Sequence, residues 1–124
     1  NTQVEKRHFV RSLKTTLSAT SLDVRQKAYE QVVPALALEA AWLAMDEVGA
    51  GPEEIGAVMT VSATAPSSMM PNTDQMLVEL LGLPPGTSTI SVSQWGCRGG
   101  GASLGWARSY CIANPTKAVL VVCI

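Results

Sequence analysis

The 124-residue sequence has little of what metal, disulfide and nucleic-acid chemistry need. It holds one histidine, His8, and three cysteines, Cys97, Cys111 and Cys123. Zinc sites draw four nitrogen or sulfur ligands from paired spacings, and a disulfide framework uses an even cysteine set. Neither pattern is present, so no metal is expected and a reducing, cytoplasmic setting is. Net charge is −1, and the longest basic tract is Lys6-Arg7-His8. That balance argues against a nucleic-acid or anionic membrane surface. No apolar run reaches the length of a membrane span, and no signal-peptide pattern is found. Gly96, Gly99, Gly100 and Gly101 lack the Lys-Ser or Lys-Thr of a phosphate-binding loop, and their spacing does not match G-x-G-x-x-G. Internal repeats and low-complexity segments are absent. The chain begins at Asn1 rather than Met and stops at Ile124, within an apolar strand pattern. The expectation is a fragment of a longer polypeptide, or a chain cut by processing.

What is present is a core. Hydrophobic residues make up 47% of the chain, enough for one domain or part of one. Residues 1–25 read as an irregular, Ser/Thr-rich segment pinned by Val4, Phe9, Val10, Leu13 and Leu17, and residues 26–124 as an α/β core. Gln26 to Val48 has helical periodicity, with Tyr29, Val32, Val33, Leu36, Leu38, Ala40, Leu43, Ala44 and Val48 covering more than one face. The prediction is a helix buried between layers, kinked or restarted at Pro34. Ile55 to Ser62 reads as a strand buried on both faces. A loop over Ala63 to Pro71 leads to a short helix, with Asn72 as N-cap, Gln75 three residues on, and Met76, Leu77, Leu80 and Leu81 on one face. A strand over Thr89 to Gln94, a helix over Ala102 to Ala113 and a second two-sided strand over Lys117 to Ile124 complete the pattern. Strands alternating with helices predict an α/β layered domain with a mostly parallel central sheet.

The chemistry concentrates at Trp95-Gly96-Cys97-Arg98-Gly99-Gly100-Gly101, between a predicted strand and a predicted helix. A lone cysteine in an apolar chain is more often a small core residue. Cys111 and Cys123 fit that description. Cys97 instead stands in an elbow over residues 96–101, where the positive end of a helix dipole favours the thiolate. The glycines leave room for an acyl group and place backbone amides within reach of an oxyanion, although tight helix–sheet packing would ask for the same glycines. Arg98 either lowers the thiol pKa or, as arginines more often do, faces solvent and pairs with a carboxylate. His8 lies in a basic segment far from Cys97 in sequence, so the nucleophile has no evident base. Met69 and Met70 either fill core gaps or line a pocket.

These residues resemble a family. Ser21 to Gln26 is similar to SLDARQ, Pro34 to Ala41 to V-P-x-L-x-x-E-A-A, and Met70 to Asp74 to M-P-G-A-D. Leu80 to Leu83 matches L-L-G-L, and Ala118 to Cys123 resembles A-R-V-L-V-V-C. With Gly96-Cys97-Arg98-Gly99-Gly100, the pattern resembles the N-terminal half of a type III polyketide synthase, the chalcone synthase-like group of the thiolase fold. The resemblance covers nearly the whole chain. It implies a thiolase-like layered α/β/α fold, incomplete here, whose Cys97 takes an acyl group from acyl-CoA and extends it with malonyl-CoA. It implies coenzyme A thioesters as substrates without a separate cofactor, and a homodimer in which Met70 reaches the partner's cavity. The family's His and Asn would lie beyond Ile124, and its coenzyme A-binding basic residues at or before Asn1.

Thr64, Ala65, Met70 and Trp95 fall at pocket positions of the family, as expectations from the resemblance. Ala65 and Pro66 stand where plant members carry hydroxyls, and Trp95 and Arg98 replace a Gln and a Phe. These departures point to a microbial or fungal type of member with a different starter. Two alternatives remain at this level: a β-ketoacyl synthase III-like condensing enzyme, and a non-catalytic thiolase-like half that serves dimerisation.

Overall fold

The structure is a computed structural model, and it describes residues 5, 6, 8–18, 21–64 and 71–124. Three parallel strands form its sheet: β1 (Ile55–Ser62), β2 (Ser88–Ser93) and β3 (Ala118–Cys123). Their spatial order is β2-β1-β3, so the middle strand is the first in sequence. The helices are α1 (Leu13–Ser18), α2 (Leu22–Val48), α3 (Thr73–Leu80) and α4 (Gly99–Ala113). Single 3-10 turns at Pro52–Glu54 and Gly96–Arg98 lead into β1 and α4.

Alternation along β1 divides the core into two layers. Val58 and Ile55 face α2 and α3, packing with Ala37, Ala41, Met45, Leu77, Leu83, Leu120 and Val122. Met59 and Val61 face the other way with Val92, against Ala107 of α4 and Val119 and Val121 of β3. Side chains of a strand alternate between its two faces, and here both faces of β1 are covered. The result is a three-layer α/β/α sandwich with a parallel sheet, as the sequence predicts.

Where sequence and structure part, the causes are local. The segment read as irregular contains α1, and α2 starts at Leu22, four residues before Gln26. Ser21 caps it, accepting the Val24 amide at 3.2 Å, and Asp23 lies in the favourable first turn. The helix runs through Pro34 without a break. Its buried stripe, Val33, Ala37, Ala41 and Met45, continues across the proline, so packing on the sheet holds both halves in one helix. A proline in a helix interior costs about 3 kcal/mol, which this burial offsets. That stripe is one face only: Leu36, Trp42, Leu43 and Val48 are exposed, against the prediction of a helix buried between layers on more than one face.

The last strand also departs from the expected burial on both faces. β3 buries Leu120 and Val122 but exposes Cys123, and β2 buries only Val92. Each is paired on one side only in this sheet, whereas β1 is paired on both. On α3, Leu77 is buried while Leu80 is exposed. The predicted cap is present: the Asn72 amide donates to the Gln75 side chain at 3.0 Å.

Candidate active site

Cys97 stands at the carboxyl end of the parallel sheet, the edge at which open α/β sheets bind ligands. β2 ends at Ser93, which pairs with Ser62 at the end of β1. Then the backbone reverses sharply. Gln94 has φ of 63° and Gly96 φ of 53°, both left-handed. Glycine adopts this conformation freely; for glutamine it costs on the order of 1 kcal/mol. A strained non-glycine residue three positions from the thiol is a feature the sequence did not flag, and such residues cluster at functional sites. Cys97 lies in the following 3-10 turn, exposed.

The helix begins earlier than predicted. Gly99, Gly100 and Gly101 form the first turn of α4 instead of a loop, which moves its amino end from Ala102 to two residues after Cys97. Gly99 is required there. A Cβ on it would lie 2.7 Å from Val61 Cγ1, so only glycine lets α4 approach β1 this closely. One turn on, the buried Ser103 hydroxyl donates to the Gly99 carbonyl at 2.8 Å. Trp95 is 47% exposed and meets Trp106 of α4 edge to face, with ring centroids 5.3 Å apart. That contact pins the chain just before the thiol to the helix just after it.

A second polar tie holds β2. Asp74, at the start of α3, is only 3% exposed and accepts the Ser91 hydroxyl at 2.6 Å. Its sequence position suggests only an acid favoured by the helix dipole, so nothing local signals the burial.

The other candidates fall as follows. Thr64 is exposed, two residues past β1, and its amide donates to Ser62 Oγ at 3.1 Å. Ala65, Pro66, Met69 and Met70 lie outside the described residues. Cys111 is half-buried, whereas Cys123, expected in the core, is exposed at the end of β3 and lies beside Gly100. Arg98 is exposed, and among the described residues no carboxylate pairs with it. His8 is exposed ahead of α1. No group of three or more potential metal ligands converges among the described residues, and no described helix is long and apolar enough to cross a membrane.

This arrangement has relatives. Residues 9–124 match the N-terminal domain of chalcone and stilbene synthases. The chain is 32% identical to a 1,3,6,8-tetrahydroxynaphthalene synthase of Streptomyces griseus, over 98% of this chain and 32% of the relative. Among solved structures it is similar to the Streptomyces coelicolor 1,3,6,8-tetrahydroxynaphthalene synthase, a bacterial type III polyketide synthase. The TM-score is 0.77 at 30% identity, over 94% of this chain and 33% of that one. The C-terminal type III polyketide synthase domain of a Dictyostelium type I/III hybrid gives a TM-score of 0.72 at 32% identity, over 79% of this chain and 26% of that one. The chain therefore spans about a third of the length of the two Streptomyces tetrahydroxynaphthalene synthases among its curated relatives.

Proposed function

The chain belongs to the chalcone and stilbene synthase family, of which it carries the N-terminal domain, and from that premise we propose that Cys97 is the acyl-carrying nucleophile of a polyketide-forming condensing enzyme. The observation that carries this reading is the position of Cys97: exposed at the sheet's carboxyl edge, two residues before the amino end of α4. A helix amino terminus presents unpaired backbone amides, the kind of donor that an acyl-transfer oxyanion needs beside the attacking sulfur.

Loading is a thioester exchange. The Cys97 thiolate attacks the carbonyl carbon of an acyl-CoA, its bond to Cys97 forms, and the bond to coenzyme A breaks. Coenzyme A leaves as a thiolate and takes up a proton. In extension, malonyl-CoA loses carbon dioxide. The resulting enolate carbon attacks the acyl carbonyl, a carbon–carbon bond forms, and Cys97 departs as thiolate. Both steps pass through an oxyanion that needs hydrogen-bond donors fixed in advance.

Thr64 and Trp95, together with Ala65 and Met70, are assigned to the substrate pocket. The substrates are an acyl-CoA and malonyl-CoA, and the reading includes a homodimer and a cytoplasmic setting. The sole histidine, His8, is exposed ahead of α1, so residues 1–124 alone are expected not to decarboxylate malonyl-CoA.

The test is covalent. Full-length protein carrying this domain is incubated with an acyl-CoA, and its intact mass and peptides are mapped. The acyl group is expected on the Cys97 peptide and absent from Cys97→Ala. An adduct on Cys111 or Cys123 instead, or none at all, overturns the assignment.

A further inference from the structure

A hydroxyl cluster ties α2 to the end of β1, and neither the motifs nor the acyl chemistry accounts for it. The Tyr29 hydroxyl lies 2.6 Å from Ser62 Oγ. The same Oγ lies 2.9 Å from the Thr64 carbonyl oxygen and 3.1 Å from the Thr64 amide. A serine hydroxyl has one proton to donate and two lone pairs to accept with. Only one allocation uses all three contacts. Ser62 donates to the Thr64 carbonyl, and it accepts from the Thr64 amide and from Tyr29. Tyr29 is then the donor that completes the set, and without it one lone pair of Ser62 goes unmatched.

The location gives this its meaning. Ser62 ends β1 and pairs with Ser93, which ends β2. From these adjacent ends one chain leads to Thr64 and the other, four residues on, to Cys97. The direction taken at Thr64 is thus set by a hydroxyl reaching in from a third element, α2. We infer that Tyr29 is a positioning residue that fixes, through Ser62, where Thr64 stands relative to Cys97 and so the room left for the growing acyl chain. This rests on the assignment of Thr64 to the substrate pocket.

Tyr29 suits a clean substitution. Its ring lines an apolar groove of about 260 Å³ with Val24, Ala28, Val32, Val33 and Leu36. Tyr29→Phe keeps that packing and removes only the donor. An ordinary hydrogen bond corresponds to about a fivefold change in a local equilibrium. Two measurements on the full-length protein follow. Amide exchange at Thr64, which needs no catalysis, is expected to quicken up to about fivefold in Tyr29→Phe. The ratio of long to short products formed from one starter is expected to shift about two- to fivefold, with acylation of Cys97 retained.

Ser62→Ala should shift the ratio the same way, and Tyr29→Phe should add little in its presence. An unchanged Thr64 exchange rate overturns the tether. Faster exchange with an unchanged product ratio reduces Tyr29 to a structural role and overturns the inference. A wild-type protein that never acylates Cys97 condemns the nucleophile assignment instead, and the Thr64 exchange still decides whether the tether exists.

Discussion

Replacing Gly99 by alanine isolates the contact that sets the helix after Cys97 against the sheet. Gly99 has helical dihedrals, φ −56° and ψ −47°, so an alanine suits its backbone. On propensity alone the change stabilises α4 by up to about 1 kcal/mol. The added Cβ, however, would lie 2.7 Å from Val61 Cγ1, with Trp95 Cβ at 3.7 Å and Val92 Cγ1 at 3.8 Å. Carbon atoms rest at about 3.5–4.0 Å, so the shortfall at Val61 is about 1 Å. Val61 is β-branched, buried and packed with Met59 and Val92, and its methyl has nowhere cheap to turn. Overpacking of this kind costs about 1–3 kcal/mol, which outweighs the propensity gain. With the full propensity gain set against it, the expected net loss is up to about 2 kcal/mol. Gly101 and Gly105 lie in the same helix, and a Cβ on either would meet nothing within 4 Å, so Gly101→Ala and Gly105→Ala should be neutral or gain up to about 1 kcal/mol. Urea unfolding with unchanged m-values reads the difference directly. Val61→Ala removes the opposing methyl and should be less costly in the Gly99→Ala background than in wild type. If Gly99→Ala proves as stable as Gly101→Ala, the close approach of α4 to β1 is not what requires glycine.

Four further outcomes are expected. Ser91→Ala leaves the buried Asp74 carboxylate without the hydroxyl now 2.6 Å away, at a cost of about 1–3 kcal/mol in thermal or chemical unfolding; a neutral result would mean water replaces the serine. Ser21→Ala removes the cap of α2 and should cost about 1 kcal/mol, seen as lower stability with earlier fraying of the first turn in amide exchange. Tyr110→Phe deletes the 2.8 Å hydrogen bond to the Gly56 carbonyl that ties α4 to the start of β1, and unfolding should shift by about 1 kcal/mol. Trp106→Ala frees Trp95 from its edge-to-face partner; about 0.5–1.5 kcal/mol should be lost beyond the buried area, and alkylation of Cys97 by iodoacetamide should change rate while that of Cys111 does not.

Local chemistry was legible where the decisive interactions are local. The bounds of β1, Ile55 to Ser62, follow from a continuous apolar run between turn residues. The start of α3 follows from Asn72 and Gln75, whose bond spans three residues. The placement of Cys97 between a strand and a helix follows from the change of pattern around the glycines. By contrast, Gly99 to Gly101 read as a loop because glycine is a poor helix former. The one close contact that asks for glycine among them, Gly99 against Val61, joins residues thirty-eight positions apart.

The sequence by itself therefore determined the kinds and order of the elements from α2 onward, the parallel α/β class and the place of Cys97 between a strand and a helix. Each of these is written in periodicity, capping or spacing within a dozen or so residues. Tertiary structure decided the rest. It put β1 in the middle, which buries both its faces and leaves β2 and β3 half covered. It brought Asp74 under Ser91, and Tyr29 across to Ser62. A hydrogen bond between residues 33 positions apart leaves no periodic trace. It exists only because packing has already brought two elements together, and that packing is the sum of contacts no single segment contains.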